Sequence, residues 1–138
     1  MANNFGAFVI AVGRVLMAIV FIHAGLSKIE GYAQTAGFMQ SQGVPGSLLP
    51  LVILLELGGG LALALGLFTR FMATALALFS IAAILIFVLP PQGGIGEIVM
   101  YAEIAMVGGL LHYAVRGGGM LSVDQLLQNR KRRRSGGF

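Results

Sequence analysis

The chain of 138 residues contains no cysteine and no tryptophan, and only 10% of it is Asp, Glu, Lys or Arg. Without cysteine it cannot by itself form a disulfide, a thiolate metal site or an Fe–S ligand set. Without tryptophan, any aromatic belt at a membrane surface falls to Tyr32, Tyr101, Tyr113 and the phenylalanines. An ordinary soluble domain is about 25% charged. A chain that is 57% hydrophobic, with a mean hydropathy of +0.90, has too few charges to cover a surface in water. Lipid is the better solvent, and the length allows one domain.

What is present is a set of apolar runs. Four spans can be drawn, at 5–26, 47–67, 71–89 and 95–115, each of 19 to 22 residues. About 20 helical residues cross a hydrocarbon core of roughly 30 Å. Membrane-barrel strands would alternate apolar and polar residues, which these runs do not. The first run reads as a retained helix, because its flank MANNFGAF lacks the basic start of a leader. Breaks fall at Gly43, Pro45, Gly46 and Pro50, at Thr69-Arg70, at Pro90-Pro91 with Gly93-Gly94, and at the glycines 117–119. The expected fold is therefore an all-α integral membrane protein, a four-transmembrane-helix bundle. Residues 1–116 form the membrane domain and 117–138 a tail with a short amphipathic helix and a basic run.

The polar connection after the first span, with Tyr32, Phe38 and Met39, suggests a short interfacial segment. In the tail, Ser122 with Gln125 three residues on resembles a capping box. Placing both termini in the cytoplasm puts Arg70, Arg116 and RKRRR (130–134) inside, as the positive-inside rule asks. No nucleic-acid fold or aromatic platform accompanies that run, so nucleic acid is not an expected partner. The lipid bilayer is.

Several ionisable residues lie inside apolar runs, where a charge costs about 2.5–3.5 kcal/mol on insertion scales. Counting 1.5 Å per helical residue puts Arg14, Glu56 and Glu103 all near the midplane. The expectation is that Arg14 meets both carboxylates inside the bundle, and that two acids around one cation favour a retained proton on one of them. Such a cluster is either a site that handles protons or a ligand, or a clamp that fixes helix register. Lys28 shares a helical face with Arg14, Phe21 and Gly25 and can snorkel to the outer interface. His23 points to the other side, toward another neighbour or lipid headgroups. Shared haem ligation by His23 and His112 is excluded by their depths, roughly 25 Å apart, and no metal-ligand spacing is present. Gly58, Gly59, Gly60, Gly66, Gly108 and Gly109 are expected at helix contacts.

GRVLMAIVFIHAGLSKIEGYAQTAGFMQSQGVP, followed by LPLVILLELGGGLALALGLFTR, resembles the DoxX family of small bacterial inner-membrane proteins. The likeness spans roughly 13–124. Its marks are Arg14, Gly25 with Lys28, Glu56 ahead of Gly58, Gly59 and Gly60, and the group Gly66, Thr69, Arg70. The resemblance implies four transmembrane helices and a bacterial plasma-membrane location. It also implies a link to redox chemistry, since the family takes its name from a subunit of a thiosulfate:quinone oxidoreductase. Thiosulfate oxidation by this chain alone is not expected, because it lacks cysteine and a long external segment.

The function expected is a membrane subunit of a redox assembly, its cofactor open with quinone as the candidate, and Arg14, Glu56, Glu103, Lys28 and His23 as the candidate residues for holding a head group or protons. The alternatives are a scaffold without chemistry, which would pack against redox-complex subunits or itself, and a transporter for protons or a small solute.

Overall fold

A computed structural model describes residues 4–88 and 93–135. Among them every regular element is helical: α1 (Asn4–Glu30), α2 (Tyr32–Ser41), α3 (Leu49–Leu65), α4 (Thr69–Ala83), α5 (Gly93–Arg116) and α6 (Val123–Ser135). A 3₁₀ turn, Gly46–Leu48, leads into α3, and a π-helical turn, Ile84–Val88, extends α4. Runs this apolar must satisfy their own backbone groups, and helices do so within one segment. Four stretches, Asn4–Glu30, Gly46–Leu65, Thr69–Val88 and Gly93–Arg116, are long and apolar enough to cross a membrane. They match the four expected spans, with α1 running further, to Glu30. The expected break at Pro90-Pro91 lies outside the described residues.

Local chemistry sets the ends. Pro50 sits in the first turn of α3, where a missing N–H costs nothing. Gly66 ends α3 in the left-handed conformation (φ 74°), and the Leu67 amide donates back to Ala62 at 2.8 Å. Gly117, at φ 79°, ends α5 in the same way.

The helices pack in a chain: α1 lies along α3, α3 on α4 and α4 on α5, while α5 touches α1 only lightly. In lipid no hydrophobic force drives helices together, so close packing must. Glycines supply it at α1–α3. A Cβ on Gly25 would stand 2.6 Å from Leu57, and one on Gly60 would stand 2.9 Å from Ile22. Gly59 fits against Leu76 of α4, and Gly109 lies under Met17 of α1. Two glycines expected at contacts are not there: Gly58 and Gly108 have nothing within 4 Å of a Cβ. Gly66 is both a turn residue and a contact: a Cβ there would stand 3.0 Å from the Ser122 Cα and 3.1 Å from the Arg14 guanidinium carbon.

The core gathers Ala18, Phe21, Leu63, Leu76, Leu110 and Tyr113. On α1 the buried face is Ala7, Arg14, Ala18, Phe21 and Gly25. Leu16, Leu54, Phe71, Leu78, Leu85 and Ile98 are more than half exposed, as lipid contact requires. The polar segment after α1 is indeed helical: α2 folds back so that Phe38 meets Phe87 at a ring separation of 5.5 Å.

Candidate functional site

The buried polar groups form two centres, not one. Arg14 and Lys28 share a face of α1 but lie fourteen residues apart, roughly 21 Å along the axis. Helical side chains lean toward the N-terminus of their own helix. Arg14 therefore reaches toward the end where α3 and α5 finish, and Lys28 reaches back into the bundle.

Arg14 is 3% exposed. Its Nη1 donates to the Gly118 carbonyl at 2.5 Å, and its Nη2 donates to Leu121 at 2.9 Å and Ala64 at 3.3 Å. Ala64 lies in the last turn of α3, and the other two lie just beyond α5. Ala64 is among the last carbonyls of α3, for which the helix has no amide donor, while Gly118 and Leu121 are carbonyls of the connection between α5 and α6. One planar guanidinium thus satisfies acceptors from two chain segments. Neither Glu56 nor Glu103 takes part, which corrects the expected Arg14–Glu56–Glu103 cluster. Helix register explains the difference: Gly60 packs on Ala18 and Ile22 and Gly25 on Leu57, so Glu56 stands near the level of Gly25, about three turns from Arg14.

The surroundings of Arg14 are built to fit it. Gly118 must be glycine, since a Cβ there would stand 2.7 Å from Thr69 Oγ1 and 3.2 Å from Arg14 Nη1. The Tyr113 hydroxyl donates to the Ile10 carbonyl at 2.9 Å, pinning α5 to α1. Asp124, in the first turn of α6, caps α4: its carboxylate accepts from the Phe68 amide at 2.7 Å and the Thr69 amide at 2.8 Å. The Asp124 amide in turn donates to Gly66 at 3.0 Å. This holds Phe68 at φ 49°, a left-handed conformation that costs a non-glycine residue about 1–2 kcal/mol. Ser122 accepts from the Gln125 amide at 3.2 Å, half of the expected capping box. Asp124 and Tyr113 are also the electrostatic neighbours of Arg14. Sequence reasoning missed both. The available signal for Asp124 was its standing as the lone acid of a tail full of arginines.

At the other centre, Lys28 Nζ lies 2.7 Å from Glu56 Oε1. Glu56 is 2% exposed, whereas the Lys28 side chain is 28% exposed. Glu103, on α5, has Lys28 and Glu56 as its electrostatic neighbours. Its Oε2 is buried and has no hydrogen-bond partner among the described residues. Glu103 is also the one ionisable residue in the lining of a groove of about 560 Å³ at the α1–α5 seam, with Leu16, Met17, Val20, Val99, Ala102 and Met106 around it. The groove exists because α5 and α1 barely touch. His23 is exposed on α1 and His112 on α5, and neither joins either centre.

Fold and site together define a multi-pass protein of four membrane-length helices, one end clamped by a buried arginine and the other carrying a lysine and two acids. The DoxX family model matches residues 9–89, and the chain belongs to that family. It is 42% identical to the inner membrane protein YqjF of Escherichia coli over 121 residues, covering 88% of this chain and 93% of that one. It is 25% identical to a second E. coli inner membrane protein, YphA, over 132 residues, covering 88% and 94%. It is also 38% identical over 72 residues to CatD of Bacillus subtilis, which is provisionally named an oxidoreductase; the match covers 52% of this chain and 54% of that one. No solved structure matches it. The chain is a multi-pass protein of the bacterial inner membrane. The family match ends before α5, so Glu103 lies outside it.

Proposed function

We propose that the chain is a membrane subunit of a redox assembly, and that its working centre is Lys28, Glu56 and Glu103 at the α1–α5 groove. The observation that carries this reading is Glu103, which has a buried oxygen without a partner and is the one ionisable residue lining an otherwise apolar groove. The provisional oxidoreductase name of CatD is the support from relatives. Ligand pockets typically combine such apolar walls with a few placed polar groups, in volumes of about 300–1,000 Å³.

A quinone fits this donor set: its ring and chain match Met17, Val20 and Met106, and its oxygen needs one hydrogen-bonding partner. When bound, it supplies a couple that takes up two electrons and two protons. The chain's own residues do the rest. Glu103 orients the ring oxygen and holds or yields a proton at Oε2. Lys28 fixes the Glu56 charge, leaving Glu103 as the acid whose proton is free to move. Arg14 supports the fold and is no longer a head-group ligand in this reading, and His23 faces away. The gathering of Arg70, Arg116 and α6 at the opposite end favours a cytoplasmic location for that end and for both termini.

Quinone should therefore co-purify with the protein extracted from membranes, and Glu103→Leu, which removes the donor, should lower its retention by up to about tenfold, the worth of one hydrogen bond. Quantifying quinone in lipid extracts of both proteins checks this. A quinone-free wild-type extract, or equal retention in the variant, defeats the reading.

A second reading, an accessory subunit that packs on a partner, has one observation in its favour. Gly58 and Gly108 leave open notches on the outer faces of α3 and α5, and small residues are where membrane helices approach. Loss of partner capture on Gly58→Leu would support it.

A further inference from the structure

A second cleft, of about 540 Å³, opens at the Arg14 end between the start of α4, the end of α5 and α6. Arg70 and Arg116 both line it. They are, respectively, the second residue of the membrane-length stretch Thr69–Val88 and the last of Gly93–Arg116. That places both at the level where hydrocarbon gives way to headgroups.

The charges of this cleft are unbalanced. Arg70 lies across Gly117, where a Cβ would stand 3.3 Å from its Nε, so both arginines line the cleft at the end of α5. Both arginines are exposed, and among the described residues neither guanidinium has a hydrogen bond or an ion pair. The cleft contains one acid, Asp124, and both of its oxygens are committed to the Phe68 and Thr69 amides. Two cations on one cleft, against a single acid, leave one positive charge uncompensated and call for an anion with several acceptor oxygens. Planar guanidinium forks match phosphate in two-point contacts.

We propose that this cleft is a binding site for a phosphate group, carried by an anionic phospholipid or free in solution, with Arg70 and Arg116 as its two ligands. The site is distinct from the α1–α5 groove and does not depend on the redox reading. The basic tail at 130–134 adds general attraction to an anionic surface, whereas Arg70 and Arg116 supply a fixed pair.

The test uses the full chain in nanodiscs of phosphatidylcholine doped with phosphatidylglycerol, with retained lipid counted by native mass spectrometry. A parallel arm measures the thermal shift produced by inorganic phosphate in detergent. Wild type should retain phosphatidylglycerol in preference to phosphatidylcholine, or respond to inorganic phosphate, and whichever arm responds identifies the source. Arg70→Gln with Arg116→Gln should weaken that response about thirtyfold, the factor for two arginines facing anionic lipid. Arg70→Lys with Arg116→Lys should retain part of it. Changing Arg130, Lys131, Arg133 and Arg134 to Gln should leave the selectivity in place. The proposal is overturned if wild type shows neither response, if the Gln pair matches wild type, or if the tail variant alone abolishes binding. Should the Gln pair fail to fold, wild-type selectivity and the Lys pair still decide.

Discussion

The two polar centres on α1 solve the same problem in different ways. Arg14 is surrounded by backbone: three carbonyls from two chain segments accept from it, and it has no carboxylate ligand. Lys28 is held by a side chain, Glu56, beside a second acid that has a buried oxygen to spare. A cation satisfied by carbonyls has little scope to change state, because backbone acceptors cannot titrate. Lys28 stands beside two carboxylates, and under the proposed function this is the end where protons and partners exchange; the substitutions below probe stability at the first end and the ion pair at the second.

The largest effect should come from Arg14→Met. It removes three charge-assisted hydrogen bonds and leaves buried carbonyls without donors, at a cost of roughly 3 kcal/mol or more. Arg14→Lys should recover less than half of the loss, since a single ammonium cannot span three acceptors as a planar fork does. The fraction of protein that stays monodisperse in mild detergent after heating is a suitable readout, because the chain offers no tryptophan and no thiol for dye-based assays. Wild-type melting of both variants would break the comparison at its stable end.

A smaller effect sharpens the same point with glycines. Gly66→Ala should destabilise by about 1–3 kcal/mol, because the residue sits at φ 74° and a Cβ would collide with Ser122. Gly58→Ala, in open space within α3, should be neutral or stabilise by up to about 1 kcal/mol. Thermal scans of the two variants side by side check the contrast. Equal losses would mean that the end of α3 is not locked to the tail.

The fold was legible because membrane helices announce themselves by length and hydropathy, and all four spans were found within a few residues of their observed ends. The shared face of Arg14, Phe21, Gly25 and Lys28 was also readable, since helical periodicity fixes azimuth. Partnership was not. Depth counting from the span ends puts Arg14, Glu56 and Glu103 at one level, but the glycine contacts between α1 and α3 set Glu56 beside Gly25, about three turns from Arg14, and that register cannot be counted from span ends. Pairing with backbone was further out of reach. The carbonyls of Gly118, Leu121 and Ala64 belong to no residue type, so nothing in the sequence marks them. Glycines carried a related ambiguity: Gly58 and Gly60 lie two positions apart, on different sides of α3, and only the neighbour on α1 decides which one packs.

The smallest stability effect belongs to the lysine end, and there the sign of an asymmetry matters more than its size. Lys28→Met leaves Glu56, at 2% exposure, without its counter-charge. Glu56→Gln leaves Lys28, whose side chain is already 28% exposed, able to turn outward. Breaking a fully buried pair costs about 3–5 kcal/mol, but exposed pairs are worth about 0–1 kcal/mol, so this half-exposed pair falls between. Lys28→Met should cost about 1–2 kcal/mol and Glu56→Gln less than about 1 kcal/mol. The double variant should melt above Lys28→Met alone, because it removes the charge that the single change strands. If Glu56→Gln proved the more damaging single change, the buried partner would be the lysine, and the lipid-facing acid would lose the fixed pair beside which its proton is free to move.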